Sequence, residues 1–72
     1  MRESDITKRF GLRVRSLRLA AGFSQEGFAD VVGIHRTYIG AIERGEKTAT
    51  IETAAKLAMA LQLSLSDLFK EL

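Results

Sequence analysis

The chain holds few groups that could do covalent chemistry. It has one histidine, His35, and no cysteine in 72 residues. Serines and carboxylates are present, but no spacing pairs them with a base, and no glycine-rich phosphate loop occurs. A lone histidine without cysteine also argues against a structural zinc site. The sequence therefore predicts no enzyme, no cofactor and no metal. What it does carry is a set of side chains suited to reading a surface. On a helical wheel at about 100° per residue, Arg36, Thr37, Gly40, Ala41 and Arg44 share one arc. Tyr38, Ile39 and Ile42 share the opposite arc, with Glu43 at its edge. The first arc holds two cations, a hydroxyl and two of the smallest residues. A glycine inside a helix costs about 1 kcal/mol against alanine, so helix stability does not account for Gly40. Small residues let a helix approach another surface closely, and arginine at the leading edge suits the major groove of DNA.

That helix needs a partner to present it. Residues 25–44, QEGFADVVGIHRTYIGAIER, read as two short helices joined at Gly33. Ser24 stands where a side-chain oxygen accepts from the first-turn amides. Phe28, Ala29 and Val32 form one apolar stripe, and Gly33 can supply the positive φ of a sharp turn. Gly45 stands where a helix end favours a left-handed residue.

This stretch resembles the helix-turn-helix of the Cro and lambda-repressor-like family of DNA-binding proteins. Within that family it is most similar to the short controller proteins of restriction–modification systems. The residues that carry the resemblance are Arg18, Gly22, Ser24, Gln25, Glu26, Ala29, Gly33, Arg36, Tyr38, Ile39, Ile42, Glu43, Arg44 and Gly45, within a likeness running from Phe10 to Phe69. It implies an all-α, compact five-helix DNA-binding domain. Its partners would be double-stranded DNA, a second copy of the chain and RNA polymerase. It implies a transcription regulator that binds a pseudo-palindromic operator as a homodimer.

Site residues follow from the chemistry and the resemblance together. Arg36, Thr37 and Ala41 are the expected base readers. Arg36 could fork onto guanine O6 and N7, and Ala41 could sit against a thymine methyl. Thr37 has a methyl for thymine and a hydroxyl for phosphate, and both readings stand. Ser24, Gln25, Tyr38, Arg44, Lys47 and Thr48 are the expected phosphate contacts. Gln25 lies in a first helical turn, where amides and dipole favour an anion, and the family places a phosphate-binding glutamine there. Tyr38 also reads as a packing residue with a wet hydroxyl. Family resemblance implies an ion pair between Arg18 and Glu43, tying the first helix to the end of the third. Three positions depart from the family pattern. His35 stands at an N-cap usually held by serine or threonine, and reads as a neutral cap or a phosphate neighbour. Gly27 replaces a residue that is commonly charged, and the proline often found near Thr48 or Ala49 is missing.

The remaining chain supplies the support. Asp5 is the expected cap of a first helix over 5–21, with residues 1–4 a flexible arm and Phe10, Val14, Leu17 and Ala21 facing inward. Lys8, Arg9, Arg13 and Arg15 lie mostly off that stripe and read as a solvated basic face, with phosphate contact the alternative. The other helices are expected over 25–32, 35–44, 51–61 and 65–71, in one domain spanning 1–72. Thr50 caps the fourth, whose inward stripe is Ala54, Leu57, Ala58 and Leu61. Ser64 and Asp67 form a capping box for the fifth, with Leu65, Leu68, Phe69 and Leu72 on one side. A domain this small cannot bury so many apolar residues alone. Ala55, Met59, Leu65, Phe69 and Leu72 are therefore the expected dimer interface.

Net charge is only +2. Residues 1–22 carry +4, whereas 23–47 and 48–72 carry −1 each, so any attraction to DNA must be local. No stretch approaches the ~20 apolar residues of a membrane span, and the first ten residues lack a signal-peptide pattern. A cytoplasmic location is expected. No repeat, linker or low-complexity segment occurs, and five helices leave these residues no room for a sensor or catalytic unit. From a different class, the apolar C-terminal surface also fits an antitoxin-like or adaptor protein whose main role is binding another protein.

Overall fold

The computed structural model describes residues 3–72. Five helices follow one another: α1 (Glu3–Ala20), α2 (Gln25–Val32), α3 (Arg36–Glu43), α4 (Ile51–Ala60) and α5 (Leu65–Leu68). Among the described residues no strand occurs. Side-chain oxygens start three of the helices. Ser24 accepts from the Gly27 amide, Thr50 from Thr53 and Ser64 from Asp67.

Two ends differ from the sequence expectation by more than one residue. The first helix begins at Glu3, so Asp5 lies inside it and does not cap it. Nothing between Glu3 and Asp5 breaks a helix. Residues 3 and 4 of the expected arm are helical, and residues 1 and 2 lie outside the described residues. The fifth helix stops at Leu68, three residues short of 71. In a longer helix the Asp67 carbonyl would accept from residue 71. Here it accepts from Arg13 Nη2 at 2.8 Å and from the Lys70 amide at 3.3 Å. Arg9 Nη2 reaches the Glu71 carbonyl at 3.2 Å. A tertiary contact from α1 thus ends α5.

The core joins Phe10 and Val14 of α1, Phe28, Ala29 and Val32 of α2, Ile39 and Ile42 of α3, Ala54, Leu57 and Ala58 of α4, and Leu68 of α5. The α1–α3 crossing is very close. A Cβ on Gly11 would overlap the Ile42 carbonyl oxygen and stand 2.8 Å from the Glu43 carbonyl oxygen. Only glycine lets the two backbones approach this far. The contact holds α3 against the longest helix and turns its other side outward.

Candidate nucleic-acid interface

The two short helices meet through Gly33, whose φ of 86° is the left-handed value a β-carbon disfavours. Its amide and that of Ile34 both donate to the Ala29 carbonyl, closing α2. Two residues on, His35 caps α3. Its Nδ1 accepts from the Thr37 amide at 3.1 Å. That bond uses the Nδ1 lone pair, so it is made by the tautomer with its hydrogen on Nε2.

Behind α3, Ile39 and Ile42 are fully buried. In front, Arg36, Thr37 and Arg44 are exposed. The outward arc is narrower than the wheel drew it. Gly40 and Ala41 are both buried, Ala41 to 8% exposure. The chain turns back at Gly45, and the Glu46 and Lys47 amides donate to the Ala41 carbonyl at 2.9 and 3.4 Å. That return sets backbone beside the helix at this point. Ala41 is therefore a flank of the reading face, not its centre.

Both exposed arginines have acidic neighbours that spacing alone did not reveal. Arg36 Nη1 lies 3.3 Å from Glu26 Oε2 on α2. Arg44 makes a two-bond fork with Glu46, Nε to Oε2 at 2.9 Å and Nη2 to Oε1 at 3.1 Å. The hydrogen bond from Arg44 holds the Glu46 carboxyl below its usual range, and the same bond raises the guanidinium. The signal in the chain was slight: a glutamate two residues past Arg44 and another beside Gln25.

A buried network locks α3 from behind. Arg18 Nε and Nη2 bind the two Glu43 carboxylate oxygens at 2.7 and 3.0 Å, and Nη1 donates to the Phe23 carbonyl at 2.8 Å. Gln25 Nε2 adds a third bond to Glu43, at 3.0 Å. Both charged residues are 5% exposed. The pair joins α1, the loop before α2 and the end of α3. One of the two hydrogens of the Gln25 amide expected on a phosphate is thus given to Glu43 here.

Three other expected phosphate contacts, Tyr38, Lys47 and Thr48, lie in or against the α3–α4 loop. Tyr38 is half-buried, and its hydroxyl donates to the Thr48 carbonyl at 3.2 Å. A phosphate accepts only, so contact with it requires that bond to open. Lys47 and Thr48 are exposed, and so is Ser24, whose hydroxyl accepts from Gly27. Lys8 of α1 packs against the Gly45 turn. Arg9 and Arg13, expected on a solvated face, instead hold carbonyls of the C-terminal turn.

A second surface is apolar and begins past Thr48. Ile51, Ala55 and Met59 repeat every four residues on α4, and Ile51 and Met59 are 84% and 78% exposed. Ile51 was not among the expected interface residues. Leu65 and Phe69 are part-exposed, and Ala55 and Leu72 are half-buried. A groove of about 190 Å³ runs between Ile6, Phe10, Ile51, Ala54, Phe69 and Leu72. The Phe69 ring stacks on Phe10 with centroids 5.4 Å apart.

Comparison with known proteins agrees with this geometry. A helix-turn-helix family model matches residues 14–68. The chain is 44% identical over 64 residues to control protein C.SmaI of Serratia marcescens, covering 89% of this chain and 76% of that protein. The restriction–modification controller protein C.AhdI from Aeromonas hydrophila superposes with a TM-score of 0.82 at 42% identity, covering 89% of this chain and 96% of that one. The DNA-binding domain of the P22 c2 repressor gives 0.81 at 31% identity, covering 86% and 82%.

Proposed function

The chain belongs to the helix-turn-helix family of DNA-binding transcription regulators, and from that premise we propose that it is a homodimeric controller of restriction–modification genes. One observation carries the reading. The α3 face that the core leaves outward carries Arg36 and Thr37, exposed, over fully buried Ile39 and Ile42. Arg36 on guanine and Thr37 on a neighbouring base or phosphate would read one half-site. Ser24, Gln25, Lys47 and Thr48 surround that face and would set its register on the sugar–phosphate backbone. Tyr38 would join them once its bond to Thr48 opens.

The apolar row Ile51, Ala55 and Met59 supports self-association, with Leu65, Phe69 and Leu72 beside it. Two copies related by a two-fold axis would present two recognition helices about one DNA turn apart, roughly 10 base pairs. Self-association coupled to operator binding would make the protein's own cytoplasmic concentration the control. RNA polymerase at the adjoining promoter would be its protein partner. C.SmaI and C.AhdI, named as a control protein and a restriction–modification controller, favour this class. No described helix is long and apolar enough to cross a membrane.

The test combines gel shift and sedimentation. A duplex carrying an inverted repeat from upstream of the gene should bind two chains. Met59→Asp should give monomers and lose operator affinity while keeping its helix content. A monomer that binds one half-site at full affinity, or no shift on any upstream repeat, would overturn the proposal.

A further inference from the structure

We infer that Arg44 is a second base-reading residue, seated over Gly40 and held in place by Glu46, with a guanine edge as its ligand. The inference rests on the DNA-binding reading above and moves Arg44 out of the phosphate set. Arg36, Gly40 and Arg44 are spaced four apart, so they share one row of α3 and its cap. Helical side chains lean towards the N-terminus, and Arg44 does so. A Cβ placed on Gly40 would stand 3.0 Å from Arg44 Nη1 and 3.8 Å from its Cζ. The guanidinium thus lies back over residue 40, on the face that also carries Arg36. A side chain at position 40 would displace it. This gives the mid-helix glycine a purpose that helix stability does not.

Glu46 fixes which edge of the guanidinium is offered. Its two oxygens take the Nε and Nη2 side of the fork. The end-on edge, made by Nη1 and the second Nη2 hydrogen, keeps its donors. That edge matches the O6 and N7 acceptors of guanine. A phosphate could also accept it, but a carboxylate gripping the same guanidinium repels a phosphate and tolerates an uncharged base edge. The charge arrangement therefore favours a base.

The test selects sites from a randomised 30-base-pair double-stranded library with the native protein, Arg44→Ala, Arg44→Lys and Glu46→Gln. Circular dichroism confirms that each variant folds. Native protein should enrich guanine at two positions per half-site. Arg44→Ala and Arg44→Lys should lose one of them and keep the one read by Arg36. That loss is about 5- to 150-fold in relative affinity, and lysine fails to rescue it because it has no fork. Glu46→Gln should weaken the same guanine preference while binding unselected DNA more tightly. Arg44→Ala weakening every sequence alike, with a salt slope smaller by about one, would show a phosphate contact and overturn the inference. So would Glu46→Gln with an unchanged selection profile. If the native protein selects nothing, the DNA-binding reading fails as well, and the two failures are told apart by that control.

Discussion

Replacing Arg18 by alanine should damage the fold far more than any change on the reading face. Arg18 makes two bonds to Glu43 and one to the Phe23 carbonyl, and the guanidinium–carboxylate pair is shut away from water. Truncation leaves the Glu43 carboxylate buried with only the Gln25 amide. Breaking a buried pair from one side costs about 3–5 kcal/mol. A chain of this length is stable by only about 4–11 kcal/mol, at roughly 0.05–0.15 per residue. The loss is then about a quarter of the total or more. At about 4–8 °C per kcal/mol for small domains, Tm should fall by about 12 °C or more. Urea and thermal unfolding by circular dichroism, at one fixed chain concentration, measure it. The double variant Arg18→Met with Glu43→Leu removes both charges. It should recover to within about 2 kcal/mol of native, the residue being the Phe23 carbonyl and Gln25 amide left without partners. An Arg18→Ala protein within about 1 kcal/mol of native would refute the argument. A double variant as damaged as the two singles added together would do the same.

Three further outcomes are expected. Gly11→Ala should cost several kcal/mol or abolish folding, because its Cβ has only the Ile42 and Glu43 backbone to move against; thermal melts read this directly. His35→Ala should remove the α3 cap and cost about 1 kcal/mol, whereas His35→Asp, which restores an acceptor at a positive helix end, should be at least as stable as native. The Glu46 carboxyl should titrate below the ordinary glutamate range and return to it in Arg44→Ala, as followed by side-chain carbonyl NMR. Its depressed value means that the pair favours the folded, forked geometry above the ordinary carboxylate range. The fork is lost as pH falls through the folded value.

Local signals in this chain were legible, and long-range ones were not. Ser24, Thr50 and Ser64 announce helix starts because a cap acts within three residues. The stripes Phe28–Val32 and Ile39–Ile42 revealed the inner faces of α2 and α3 because burial imposes a helical period. The Arg18–Glu43 pair came only through resemblance, since 25 residues of chain separate the partners. The wheel set Ala41 facing outward because it knows one helix and not the loop that returns beside it. The length of α5 was overestimated because its Asp67 carbonyl is taken by Arg13 from the far end of the chain. Gly11 drew no notice, since a glycine needed for backbone approach looks like any other. Sequence reasoning gave Glu26 and Glu46 no role at the site, yet each sits on an arginine of the reading face.

The proposed DNA face of α3 can be mapped most directly by amide NMR during titration with a selected operator duplex and with a scrambled duplex. Specific shifts are expected at Arg36, Thr37 and Gly40, with further changes from Gly45 to Thr48 common to both duplexes. Leu12 and Leu19, exposed on α1, should stay unchanged. Shifts confined to α4 and α5, or identical α3 shifts for both duplexes, would contradict the account.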